Sequence, residues 1–206
     1  WLPGGYLGVE VFFVISGYLI TLLLIGEYER TKRIDLRQFW TRRFRRLLPA
    51  LYLTLMIAAV YIAVFYSVTR EETRGDFLGG IFYVSNWYQI FVGQGYASSE
   101  AFVPLRHLWS LAVEEQFYLI WPLVMTVVLR RARNRLPAVG LKLFGVAIAI
   151  TAITAVLFVN GPVATACNAE FHRGCWSVGD RYININDSLY LGTFSRAGGL
   201  MLGAAE

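Results

Sequence analysis

The chain has 206 residues, 56% of them hydrophobic and 16% charged, with a formal net charge of +5 and a mean hydropathy of +0.49. Soluble domains carry about a quarter charged residues, so a water-soluble globular fold is excluded. The basic surplus lies beside apolar blocks, which argues against a nucleic-acid surface and for loops held on the cytoplasmic side of a bilayer.

The first apolar block, Gly5 to Ile25, is about 20 residues long, enough to cross ~30 Å of hydrocarbon. A basic loop follows, and eight of the 19 Lys and Arg residues fall between Arg30 and Arg46. A second span is expected from Leu47 to Ser67. The mixed region Val68 to Arg106 contains a shorter apolar stretch, Phe77 to Val92, interrupted by Asn86, Trp87, Tyr88 and Gln89. It reads as a re-entrant or interfacial segment. A third span covers His107 to Leu129, and five more basic residues lie between Arg130 and Lys142. A fourth span covers Leu141 to Val159, and a polar loop leads to a last one, Ser188 to Ala205.

The expected fold is therefore all-α, a polytopic transmembrane helix bundle of about five spans plus one re-entrant or interfacial segment. Placing both Arg-rich loops in the cytoplasm requires an even number of crossings between them, which the second and third spans supply. Residues 68–106 and 160–187 then face outward. Cys167 and Cys175, in that second outer loop, are positioned for a structural disulfide in an oxidising compartment; two free thiols are the alternative. The chain opens on Trp1-Leu2-Pro3 without an initiator Met and ends at Glu206 directly after an apolar run. It reads as a partial transmembrane domain over 1–206, truncated at both ends. Fingerprints of soluble enzymes, such as GxxxxGK[ST], HExxH, GxSxG or paired CxxC, are absent, and no metal site is expected.

An ionisable side chain in a span costs about 2.5–3.5 kcal/mol on insertion scales, so each asks for a role. In the third span His107, Ser110, Glu114 and Tyr118 share one helical stripe that Trp121 extends. This stripe reads as the lining of a polar cavity in which a proton or an acyl group is handled. Helix pairing through buried hydrogen bonds is the structural alternative for Glu114 and for Glu115, which points elsewhere. In the first span Glu10, Gly17 and Thr21 share a face beside Ser16, and Gly17 lets another helix approach closely. Arg196, in the last span, needs an anion, with Glu10, Glu114 and Glu115 as candidates. The cluster Arg42-Arg43-Phe44-Arg45-Arg46 serves either as a lipid anchor or as a grip for a phosphorylated ligand, since guanidinium groups match phosphate oxygens bidentately.

Four segments carry a resemblance. Gly5-Tyr-Leu-Gly-Val-Glu-Val-Phe-Phe-Val-Ile-Ser-Gly-Tyr-Leu-Ile-Thr21 resembles the second helix of the type 3 acyltransferases, bacterial membrane enzymes that O-acylate cell-envelope glycans. Phe39-Trp-Thr-Arg-Arg-Phe-Arg-Arg-Leu-Leu-Pro-Ala50 is similar to their arginine-rich cytoplasmic loop. His107-Leu-Trp-Ser-Leu-Ala-Val-Glu-Glu-Gln-Phe-Tyr-Leu-Ile-Trp-Pro122 resembles their most recognisable helix, and Asp187 to Gly199 a weaker later segment. The four occur in the family's order and span nearly the whole chain.

The resemblance implies transfer of an acyl group, usually acetyl, from cytosolic acyl-CoA to a sugar hydroxyl at the bacterial inner membrane, with no bound cofactor. Arg42, Arg43, Arg45 and Arg46 would meet the CoA phosphates. Glu114, Glu115 and Tyr118 would be catalytic. Glu10, Ser16, Gly17, His107, Ser110 and Arg196 would line the cavity, and an extracytoplasmic domain is a possible appendage. The family's presumed catalytic His, preceded by an Arg, lies upstream of the segments matched here. By this reading the chain alone lacks that His and is inactive. A proton-coupled transporter relaying through Glu114, Glu115 and Arg196 is the alternative, although the internal repeats typical of such proteins are not seen. A membrane assembly module, in which these charges only pack helices, is the third reading.

Overall fold

The computed structural model describes residues 5–65, 70–95, 105–132, 136–158, 174–179 and 181–206. They form eight helices and one two-stranded hairpin: α1 (Gly5–Thr31), α2 (Leu36–Phe65), α3 (Arg70–Ile81), α4 (Ser85–Val92), α5 (Leu108–Ala132), α6 (Leu136–Leu157), β1 (Cys175–Val178), β2 (Arg181–Asn184), α7 (Ile185–Leu191) and α8 (Thr193–Ala204). Four of them, α1, α2, α5 and α6, are long and apolar enough to cross a membrane. Large apolar side chains stand exposed along these helices, for example Leu23 on α1, Met56 and Val64 on α2, and Leu141 and Val156 on α6. Such surfaces are stable against lipid and not against water. The chain is an integral membrane protein with four candidate spans.

Two expected boundaries change. The last expected span, Ser188 to Ala205, is broken at Gly192 into α7 and α8, of 7 and 12 residues. Of the five expected spans, four are helices that, as described, are long and apolar enough to cross a membrane. The apolar stretch Phe77–Val92 is divided between α3 and α4 by a turn in which Tyr83 has φ 54°. Neither piece is long enough to cross as a helix.

The described residues cluster into two compact units. The first comprises residues 1–40, 114–156 and 193–206. Here α1 ends because Lys32 takes a left-handed φ of 56°, while the Thr31 hydroxyl donates to the Glu27 carbonyl at 2.8 Å. Asp35 caps α2 by accepting from Gln38 N at 2.9 Å, the Asp-x-x-Gln pattern that satisfies an orphan amide of the first turn. The chain then enters α2 directly, so Arg42, Arg43, Arg45 and Arg46 are helical rather than in a loop.

Within this unit α8 lies on α1 with backbone nearly touching backbone. A Cβ on Gly17 would run into the Leu200 backbone, and one on Gly203 into the Val14 carbonyl. Small residues at such crossings replace the hydrophobic drive that lipid removes. The buried stripe of α1 is Phe13, Ser16, Gly17, Ile20, Thr21 and Leu24, a spacing of three and four residues that keeps one face inward.

The second unit comprises residues 41–113 and 157–192. Its core includes Leu51, Leu55, Leu105 and Leu108, with Phe77 and Ile81 packed against it. Gly75 makes room for the Tyr88 ring between α3 and α4. Gly93, at φ 68°, ends α4, and Gln94 N closes back on the Gln89 carbonyl at 3.0 Å. The strands β1 and β2 pair antiparallel, from Cys175 opposite Asn184 to Val178 opposite Arg181. Asn184 then caps α7 by accepting from Asp187 N at 3.2 Å. Cys175 is disulfide-bonded, and Cys167 lies outside the described residues.

Candidate active site

The first unit buries a carboxylate that has two hydroxyl partners. Glu114, on the buried side of α5, is 8% exposed. Its Oε1 accepts a hydrogen bond from Ser16 Oγ on α1 at 2.7 Å and a second from the hydroxyl of Tyr118. Tyr118 stands one helical turn beyond Glu114, where positions i and i+4 meet on one face. Ser16 comes from 98 residues away, so the trio depends on α1 and α5 packing side by side. Each hydroxyl spends its proton on the carboxylate and keeps its oxygen lone pairs available. Such an arrangement can accept a proton from an incoming hydroxyl or help one attack a carbonyl.

The surroundings of this trio are set by prolines and aromatics. Pro122 has no N–H to give to the carbonyl of Tyr118 four residues earlier. The Trp40 indole N–H fills that place, donating to the Tyr118 carbonyl at 3.3 Å. One turn further, Trp121 Nε1 donates to Thr21 Oγ1 at 2.8 Å, and the Phe117 and Trp121 rings stack with centroids 4.8 Å apart. Thr193, the first residue of α8, donates through Oγ1 to Gln116 Oε1 at 2.5 Å. At this level α5 is therefore held by contacts from α1, α2 and α8, the α8 contact lying on the face opposite Glu114.

The expected residues separate into groups. Glu114, Tyr118 and Ser16 come together. Arg196 pairs with Glu10, which selects one of the three anions the sequence offered. Gly17 meets the Leu200 backbone and serves helix packing. Glu115 is buried, at 9% exposure, and is not joined to Glu114 by any hydrogen bond described. Ser110 donates to the carbonyl of His107 at 3.2 Å. His107 itself is exposed and sits in the turn before α5. Arg42, Arg45 and Arg46 are exposed and Arg43 is half-buried, spread over one broad side of α2 before Pro49.

Sequence reasoning did not foresee the contacts of Trp40 and Thr193 with α5. The Trp40 contact was detectable in principle, because a proline inside a span always leaves a carbonyl four residues earlier in search of a donor. The Thr193 contact depends on the break at Gly192.

A family model described as an acyltransferase domain matches residues 2–194. O-acetyltransferase OatA of Staphylococcus aureus is 50% identical over 135 residues, covering 66% of this chain and 22% of that protein. Peptidoglycan O-acetyltransferase OatA of Listeria monocytogenes is 43% identical over 163 residues, covering 78% of this chain and 26% of that protein. A putative O-acetyltransferase of Staphylococcus aureus is 43% identical over 162 residues, or 78% and 27%. The chain thus spans about a quarter of the length of these curated relatives. No solved structure matches it.

Proposed function

Because the chain belongs to the acyltransferase-domain family matched over residues 2–194, we propose that it serves in the membrane domain of an enzyme that O-acetylates a cell-envelope glycan at the bacterial inner membrane. Peptidoglycan is the favoured acceptor, because the Listeria relative is a peptidoglycan O-acetyltransferase, and acetyl-CoA the favoured donor. The observation that carries this reading is the buried Glu114 carboxylate holding both the Ser16 and Tyr118 hydroxyls.

In the proposed step the acceptor hydroxyl oxygen attacks the thioester carbonyl. A C–O bond forms, the C–S bond breaks, and the hydroxyl proton passes through Tyr118 to Glu114 and on to the departing thiolate. General acid–base assistance of this kind contributes about 10²–10⁴-fold. Burial keeps the proton transfer away from bulk water, where hydrolysis would compete. Glu115 lies on the same helix as a further buried carboxyl, assigned here to positioning α5.

With α2 and α5 as the crossings between residues 30–46 and 130–142, both basic segments face the cytoplasm, and α3, α4 and the β1–β2 hairpin lie outside. The Arg42, Arg43, Arg45 and Arg46 face of α2 then meets the CoA phosphates on the side where the donor is made. The reading is tested with the intact protein in nanodiscs, supplied with acetyl-CoA and a soluble glycan acceptor. Glu114→Gln is expected to lower acetyl transfer by ~10²-fold or more while the protein still folds. Transfer at the wild-type rate in that variant would falsify the role of Glu114.

A further inference from the structure

The second unit contains a buried polar cluster that the proposed chemistry does not use. Asp76 on α3, with Ser85 and Gln89 on α4, are 3%, 2% and 0% exposed. Among the described residues, Asp76 Oδ1, Ser85 Oγ and Gln89 Oε1 each lack a hydrogen-bond partner. Native proteins rarely leave such atoms orphaned, because each costs free energy that a partner would recover.

The three belong to one place. Ser85 and Gln89 are four residues apart on α4 and share a face. Gly79, one turn from Asp76 on α3, brings that face close: a Cβ there would stand 3.4 Å from Ser85 Oγ. Asp76 interacts electrostatically with Arg106 and with Tyr88, and Gln89 Nε2 donates to the Arg106 carbonyl at 3.1 Å. The α3–α4 turn and the turn before α5 therefore converge on the same oxygens.

Their chemistry narrows the ligand. Asp76 Oδ1 accepts when ionised, Gln89 Oε1 only accepts, and Ser85 Oγ can accept or donate, so a hydroxyl, which does both, complements the three. The Arg106 guanidinium already supplies positive charge beside Asp76, which disfavours a metal ion or an amine as the occupant. Burial pushes the Asp76 carboxyl up to about 6 against the pull of Arg106. The three side chains are almost closed off from the surface, which favours a small hydroxyl or hydroxymethyl arm over the face of a ring.

We propose that Asp76, Ser85 and Gln89 form a subsite for a saccharide hydroxyl arm, holding the acceptor glycan on the outer side of the membrane. This rests on the acetyltransferase reading for the identity of the glycan, and on the orphaned oxygens for the site itself.

The test titrates chitotetraose, a β-1,4-linked N-acetylglucosamine oligosaccharide, into the intact protein in nanodiscs by calorimetry. Ser85→Ala and Asp76→Asn are each expected to weaken binding by about tenfold, the loss of one good hydrogen bond. Ser85→Ala is also expected to hold or raise the melting temperature, since deleting an orphaned buried hydroxyl relieves a cost. Should Asp76→Asn fail to fold, Ser85→Ala decides. Wild-type affinity in the folded variants, or no saccharide binding by the wild type, overturns the subsite and leaves water as the occupant. Acetyl-CoA titrated separately reports on the donor side. Saccharide binding that depends on Ser85 without any acetyl-CoA binding would sink the transferase reading and leave the subsite standing.

Discussion

Removing the hydroxyls of Ser16 and Tyr118 one at a time and together tests whether Glu114 is held as a unit. Both donate to the same oxygen, and among the described residues these are the carboxylate's hydrogen bonds. In Ser16→Ala the Tyr118 hydroxyl still covers Oε1, and in Tyr118→Phe the Ser16 hydroxyl does. Each single variant should cost about 1–2 kcal/mol of stability, the usual scale for losing one buried hydrogen bond. The double variant leaves a carboxyl at 8% exposure with no donor in a bilayer-embedded bundle. Leaving such a group unsatisfied costs the full desolvation penalty, so the double loss should exceed the sum of the singles by about 1–3 kcal/mol. Reversible unfolding in mixed detergent, followed by Trp fluorescence, supplies the cycle, with acetyl transfer measured on the same four proteins. Additivity within about 0.5 kcal/mol would refute the shared-oxygen geometry, whatever the activity showed.

Further outcomes follow from the two units and the basic face. Gly17→Ala should destabilise by about 1–3 kcal/mol, because the added methyl meets the Leu200 backbone rather than a side chain able to turn aside; unchanged thermal stability would deny the close crossing of α1 and α8. Asp76 titrates near 6 in the folded protein against 3.8 ordinarily. Its raised value favours the folded state fully below about pH 4, and that contribution is lost as pH rises through 6. Acidifying from pH 7 to 4 should thus stabilise the wild type relative to Asp76→Asn by up to about 3 kcal/mol. Parallel pH profiles for the two proteins would contradict the burial of this carboxyl beside Arg106 and Tyr88. Replacing Arg42, Arg43, Arg45 and Arg46 together by Ala should weaken acetyl-CoA binding by about tenfold or more, and unchanged affinity would reduce the cluster to a lipid anchor.

Much of the architecture was legible because bilayer thickness imposes a length on each span. The four long helices were visible as apolar blocks, and the basic segments marked their ends. The inward face of α1 was harder to read from hydrophobicity, since Leu22 and Leu23 face outward while Leu24 is buried and all three are leucine. Only the interruptions, Ser16, Gly17 and Thr21, showed which side turns inward. The split at Gly192 escaped notice because glycine is common within spans and breaks a helix only when its surroundings satisfy the freed backbone. Gly192 N donates to the Ser188 carbonyl at 3.0 Å, which closes α7 before α8 begins. The α3–α4 cluster remained hidden because Asp76, Ser85 and Gln89 have no shared period along the chain; only the turn at Tyr83 folds them together.

The Ser16–Glu114 bond also sets an order of events during synthesis. A ribosome adding about 5–20 residues per second makes α1 roughly 5–20 s before Glu114 exists, given the 98 residues between them. Throughout that interval the Ser16 hydroxyl itself can be satisfied, because a serine can bond back to a carbonyl of its own helix. A glutamate has no such refuge. Placing the serine on the helix made first and the acid on the one made later means that the costly group enters the membrane only when its donor is waiting.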